Sequence, residues 1–141
     1  MVKNSERDFD LAVVGAGSAG FSAAITAADE GARVALIGYG TIGGTCVNVG
    51  CVPSKALIRA TETLHVAHAA DRFDGIKASA TVTDWNAVQK QKQDLVDDLR
   101  AAKYSDLLPA YTSITYMEGE ASYSDHGALI VNGPIIGAEK S

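Results

Sequence analysis

A short, largely apolar run from Phe9 to Val14 passes directly into Gly15-Ala16-Gly17-Ser18-Ala19-Gly20, and small or apolar residues, Ala23, Ala24, Ile25, Ala27 and Ala28, follow. Three glycines at that spacing leave few choices of fold. Leu11 to Val14 suits a parallel strand covered on both faces. The spacing predicts a helix from Ala19 to Glu30, ended by Gly31, with side chains small enough to approach a sheet closely. Arg33 to Ile37 reads as a second parallel strand, so residues 9–37 make one βαβ unit, with the right-handed crossover such units adopt. In that setting the glycines form a phosphate cradle for a dinucleotide. Gly15 makes the tight turn, Gly17 lets the backbone approach a pyrophosphate, and Gly20 lets the helix lie on the strand. Ser18 and Ala19 open the helix, whose free N–H groups and partial positive charge face the phosphates. The competing reading is no more than a tight strand-to-helix turn.

One element of that pattern is missing. The second strand of such a unit usually ends in Asp or Glu, which accepts hydrogen bonds from the ribose. Here Gly38 holds the place, followed by Tyr39, while Asp29 and Glu30 lie too early, on the helix. Ribose anchoring is therefore expected to be weaker or left to backbone groups, and Gly38→Glu is expected to tighten binding.

The only two cysteines, Cys46 and Cys51, lie in Gly43-Gly44-Thr45-Cys46-Val47-Asn48-Val49-Gly50-Cys51-Val52-Pro53-Ser54-Lys55. In a regular helix this separation turns the second side chain about 140° from the first, so a disulfide needs a distorted turn, which Gly50 permits. A thiol at a helix start with Lys55 nearby tends toward the thiolate, as a nucleophilic or metal-seeking sulfur requires. Zinc is a structural alternative, but there is no third cysteine, and His65, His68 and His126 show no compact ligand spacing with the pair. An inert buried pair is the plainest alternative. His65 and His68, one turn apart, read as ordinary partly exposed histidines rather than metal ligands.

Gly38 to Gly44 is expected to be loop. Cys51 to about Ala70 is predicted helical, with Pro53 in its first turn. A second helix is predicted from Trp85 to about Leu108, capped by Asp84, stopped by Pro109, and carrying Trp85, Val88, Leu95, Val96 and Leu99 along one side. Residues 113–118, 120–123 and 128–131 alternate like short antiparallel strands, with turns at Asp125 to Gly127 and at Asn132-Gly133.

At 141 residues and 47% hydrophobic composition, the chain can bury one ordinary core. A net charge of −5 disfavours nucleic acid and anionic membrane surfaces as partners. No apolar run approaches the ~20 residues of a membrane span, and Met1 to Asp10 lacks the pattern of a secretory signal. A reducing cytoplasmic setting is therefore expected, where close cysteines serve catalysis or metal binding rather than stapling.

With the glycine cradle and the cysteine segment, the chain resembles the pyridine nucleotide-disulfide oxidoreductases. Gly43 to Lys55 is similar to the redox helix of that family. Val47, Val52, Ile58-Arg59-Ala60 and Asp98 to Tyr104 look most like its mercuric reductase branch. The resemblance implies an α/β fold: a Rossmann-like FAD-binding domain with a helical excursion over 41–70 and 85–108, then short antiparallel strands over 113–131. It implies FAD as the dinucleotide and NADPH as electron source, the latter bound by a part outside this chain. Cys46 and Cys51 become a redox-active disulfide, with Cys51 against the flavin and Cys46 exchanging with substrate. In the mercuric branch the pair holds Hg(II) as a dithiolate, soft ligands for a soft ion. Gly44 and Thr45 would sit by the cofactor phosphates and Lys55 near the flavin ring. A lipoamide dehydrogenase or other disulfide reductase is the same-family alternative; a non-catalytic flavin- or thiol metal-binding module is the other. The resemblance further implies a homodimer, and a longer enzyme of which these residues are the N-terminal, incomplete FAD-binding segment.

Overall fold

The computed structural model describes residues 8–133, 135–136 and 138–140, the last two stretches as backbone alone. Residues 1–7, which include most of the polar start, lie outside the described residues, as do 134, 137 and 141. The chain divides into two compact units, one of residues 1–44 and 100–141 and one of residues 45–99.

In the first unit, β1 (Phe9–Val14), α1 (Ser18–Asp29) and β2 (Val34–Gly38) form the βαβ unit, with the strands parallel and Leu11 opposite Val34. All five residues of β2 are buried, which requires cover on both faces of the sheet. Ala35 and Ile37 join Ala12, Leu129 and Val131 in one cluster, with Phe9, Met117 and Ala121 packed against it. α1 packs on the sheet and buries Phe21 and Ala24. It ends where Gly31 turns left-handed at φ +90° and donates to the Ala28 carbonyl at 3.0 Å. At the amino ends of the strands, Asp10 accepts from the Arg33 backbone at 2.8 Å and from its guanidinium at 3.0 Å. These bonds hold the Asp10 carboxyl below the usual carboxylate range.

The alternating stretch at 113–118 is not antiparallel. As β3 (Ile114–Glu118) it pairs parallel with β2, Val34 facing Ile114 and Gly38 facing Glu118. Alternation marks a strand but not its direction. Residues 39–113 leave the carboxyl end of β2 and return to its amino end, as a parallel neighbour requires. β4 (Ala121–Tyr123), β5 (Leu129–Val131) and β6 (Ile135–Ile136) form a separate antiparallel sheet. Its first turn is closed by Ser124 N–H to the Ala128 carbonyl at 2.8 Å. β7 (Ala138–Lys140) then adds to β1 in parallel, giving the order β3-β2-β1-β7, a fourth strand not read from the sequence.

The second unit is helical: α2 (Gly44–Asn48, its first residue still in the first unit), α3 (Cys51–His68), a 3-10 turn at Ala70–Arg72 and α4 (Trp85–Arg100). Asp84 Oδ1 caps α4, accepting from the N–H groups of Asn86 at 2.8 Å and Ala87 at 3.1 Å. The apolar side of α4 is covered only in part: Val96 is buried, whereas Trp85 is 49% and Leu95 42% exposed. α4 does not run to Leu108. Ala101–Ser105 widens into a π turn, and Leu108–Ala110, containing Pro109, is 3-10. Pro109 restricts the residue before it, and the π turn buries Tyr104 in the first unit. There its ring meets Phe21 edge-on at 4.8 Å, and its hydroxyl hydrogen-bonds Ser18 Oγ at 2.8 Å. Among the described residues no helix is long and apolar enough to cross a membrane.

Candidate active site

The glycine cradle is built by close approach. Gly15 has φ +116° and donates to the Ile37 carbonyl at 2.7 Å, fixing the turn at the carboxyl end of β1. A Cβ at Gly20 would run into the Gly15 carbonyl, so glycine there lets α1 start directly on the turn. Gly17, with extended backbone, is the N-cap, and the first turn contains no acidic residue. The N–H groups of Ser18, Ala19 and Gly20 have no earlier helical carbonyl to bind, and both Ser18 and Ala19 are exposed. The second glycine loop closes on the first. Gly43 N–H donates to the Ala16 carbonyl at 2.8 Å, Gly17 and Gly43 form a parallel bridge, and a Cβ on Gly44 would lie 2.9 Å from Gly17 Cα. A surface of backbone N–H groups with side chains excluded, at the positive end of a helix, fits a pyrophosphate.

Cys46 and Cys51 are joined as a disulfide with Cα atoms 4.9 Å apart. Within the 41–70 excursion Cys46 lies in the short α2, and Cys51 is the first residue of α3. The distorted turn is the break between these helices. At Gly50, φ is −107° and ψ is −116°. A Cβ there would meet the Thr45 carbonyl oxygen at 2.9 Å and Cys46 Cα at 3.2 Å, so close approach selects this glycine. The Thr45 carbonyl accepts from Val49 N–H at 3.0 Å, and the Gly50 carbonyl accepts from Ser54 N–H at 3.1 Å and Ser54 Oγ at 2.8 Å. Thr45, both cysteines and Lys55 are exposed, with Lys55 one turn along α3 from Cys51. Among the described residues no group of three or more His, Cys, Asp or Glu is gathered where it could hold a metal ion. His68 Nε2 instead lies 2.8 Å from the Ala80 carbonyl oxygen.

Gly38 overturns one expectation. It is buried, and a Cβ there would lie 2.6 Å from Ala16 Cβ and 2.8 Å from Tyr116 Oη. Gly38→Glu therefore has no room for its side chain and cannot restore the missing acid. The sequence assigns no site role to Tyr116 and Glu118 on β3, nor to Tyr104 on the π turn beyond its place in the segment 98–104. Burial first, and the Glu118 charge second, push the Tyr116 hydroxyl above its ordinary range. The alternation of 114–118 put Tyr116 and Glu118 on one face, but only the parallel register sets them beside Gly38.

The sequence matches the family of pyridine nucleotide-disulphide oxidoreductases over residues 9–129. The chain belongs to that family. Similar proteins include the mercuric reductase of Lysinibacillus sphaericus, 43% identical over 136 residues, which are 96% of this chain and 24% of that protein. The mercuric reductase of Streptomyces lividans is 48% identical over 123 residues, 87% of this chain and 26% of that one. The chain thus spans about a quarter of the length of these relatives. Among solved structures, the HOCl-induced flavoprotein disulfide reductase RclA from Escherichia coli superposes with a TM-score of 0.71 at 28% identity, over 92% of this chain and 26% of that one. An α/β fold with a parallel sheet agrees with both comparisons.

Proposed function

We propose that this chain supplies the FAD-binding cradle and the dithiol of a mercuric reductase, an enzyme that reduces Hg(II) to elemental mercury with electrons from NADPH. The observation that carries the reading is the pair Cys46 and Cys51, exposed and held at a Cα separation of 4.9 Å across the start of a helix. Its support is a sequence 43–48% identical to mercuric reductases. When bound, FAD supplies the two-electron relay between NADPH and the cysteine pair.

The residues of this chain do the rest. Gly15, Gly17, Ser18, Ala19 and Gly20, with Gly44, hold the pyrophosphate through backbone N–H groups, and the Thr45 hydroxyl adds a donor. Lys55 places a positive charge that favours an anionic flavin ring. On reduction, a thiolate at Cys51 faces the positive end of the α3 dipole, which stabilises it. Cys46 serves as the outer thiol that meets substrate. Hg(II) is taken as a dithiolate by the two sulfurs, Cys51 already ionised and Cys46 giving up its proton to solvent. A cytoplasmic homodimer with NADPH bound elsewhere in the protein belongs to the same proposal.

The test is NADPH oxidation coupled to loss of mercury as vapour, measured on the protein together with its NADPH-binding part. Cys46→Ser and Cys51→Ser should each abolish both signals. Turnover of lipoamide or glutathione disulfide without Hg(II) reduction would assign the site to the disulfide reductases instead.

A further inference from the structure

The end of β2 leaves no place for a ribose-binding carboxylate. Gly38 is buried against Ala16 and Tyr116, and even a methyl group there would overlap both. The residue facing Gly38 across the parallel ladder is Glu118, at the carboxyl edge of β3. Adjacent strands lie about 4.8 Å apart, so a carboxylate rooted at Glu118 starts one strand spacing from where an acid on β2 would start, on the edge where such sheets bind ligands.

The backbone at Glu118 is held. Gly119 N–H donates to the Gly38 carbonyl at 2.8 Å, and Asn132 Nδ2 donates to the Glu118 carbonyl at 2.8 Å. Asn132, in the left-handed region at φ 51°, also accepts from Glu120 N–H at 3.3 Å and lies over Gly119 where a Cβ would be. Tyr116, two residues before Glu118, shares its face of the strand. Its hydroxyl occupies the space a β2 side chain would enter, close enough to the Glu118 carboxylate to feel its charge. The Glu118 side chain is exposed.

We infer that the adenosine ribose of the dinucleotide is held from β3, by the Glu118 carboxylate with the Tyr116 hydroxyl beside it, in place of an acid on β2. This assignment rests on the reading of the cradle as an FAD site. A vicinal diol offers two donors to one carboxylate, a charge-assisted pairing that glutamine cannot reproduce.

The experiment titrates the flavin-free protein with FAD, with an FAD analogue carrying 2′-deoxyadenosine, and with FMN, followed by quenching of flavin fluorescence. Glu118→Gln, of nearly the same shape, should weaken FAD by roughly 10- to 100-fold, the scale of one hydrogen bond to a charged group. It should also abolish the preference for FAD over the deoxy analogue and leave FMN affinity unchanged. Tyr116→Phe should weaken FAD by a smaller factor. Wild-type FAD affinity in Glu118→Gln, or an undiminished preference over the deoxy analogue, overturns the assignment while leaving the cofactor reading standing. Failure of the wild-type protein to bind any of the three ligands overturns the cofactor reading and the assignment with it.

Discussion

Replacing Gly50 by alanine tests how the cysteine pair is held. The added methyl would sit 2.9 Å from the Thr45 carbonyl oxygen and 3.2 Å from Cys46 Cα. Both are backbone atoms of α2, so neither yields by a change of rotamer. Relief requires α2 and α3 to part by a few tenths of an ångström, which the disulfide, with its Cα atoms at 4.9 Å, opposes. Once the disulfide is reduced, the two helices are free to separate. The overlap therefore raises the energy of the oxidised form more than that of the reduced form. Overpacking of this kind costs about 1–3 kcal/mol. For a two-electron couple in which 30 mV is about 1.4 kcal/mol, the variant should have a reduction potential roughly 20–65 mV more positive. The lower backbone entropy of alanine in the unfolded chain cancels, because both redox forms compared are folded. The assay equilibrates the protein in dithiothreitol or glutathione buffers, alkylates free thiols and counts them at each ratio. An unchanged or more negative potential, with the disulfide still closed, would show that the break between α2 and α3 does not constrain the pair.

Gly38→Glu should lower stability by about 1–3 kcal/mol through its overlap with Ala16 and Tyr116 and should bring no gain in FAD affinity; denaturant unfolding and a flavin titration read the two effects. Asp10, whose pKa is lowered chiefly by its hydrogen bonds to Arg33, contributes stability that is present above the ordinary carboxylate range and is lost as pH falls through its folded pKa. The melting temperature of Asp10→Asn should accordingly fall below wild type at neutral pH and converge with it in acid. Tyr116 has the opposite sense: burial raises its pKa, so its contribution is complete below the ordinary tyrosine range and is lost as pH rises through the folded value. In an ultraviolet phenolate titration, Tyr116→Phe should remove a late-ionising component from among the five tyrosines.

The βαβ unit and the cysteine pair were legible because local chemistry dictates them. Three glycines after a strand have one familiar use, and two cysteines around a glycine can close only across a broken helix. What the sequence hid was non-local. The direction of β3 depends on where residues 39–113 return, and no alternation pattern in Ile114–Glu118 carries that information. The role of Gly38 was misread for the same reason: an absent acid looked like a gap that a side chain might refill, yet Tyr116 and Ala16 already occupy the space. α2 is one short turn, below the length at which periodicity can be seen. The π turn that follows α4 carries Tyr104 to Phe21 and Ser18, contacts more than eighty residues apart in the chain that no local pattern announces.

A flavin and the Cys46–Cys51 pair acting as one redox unit should be visible in an anaerobic reductive titration of the purified protein, with electrons counted per bound flavin. The wild-type protein should retain FAD and take up about two electrons per flavin more than Cys51→Ser, the complement of one dithiol couple. Equal uptake by the two proteins, or a wild-type protein that binds no flavin, would contradict it.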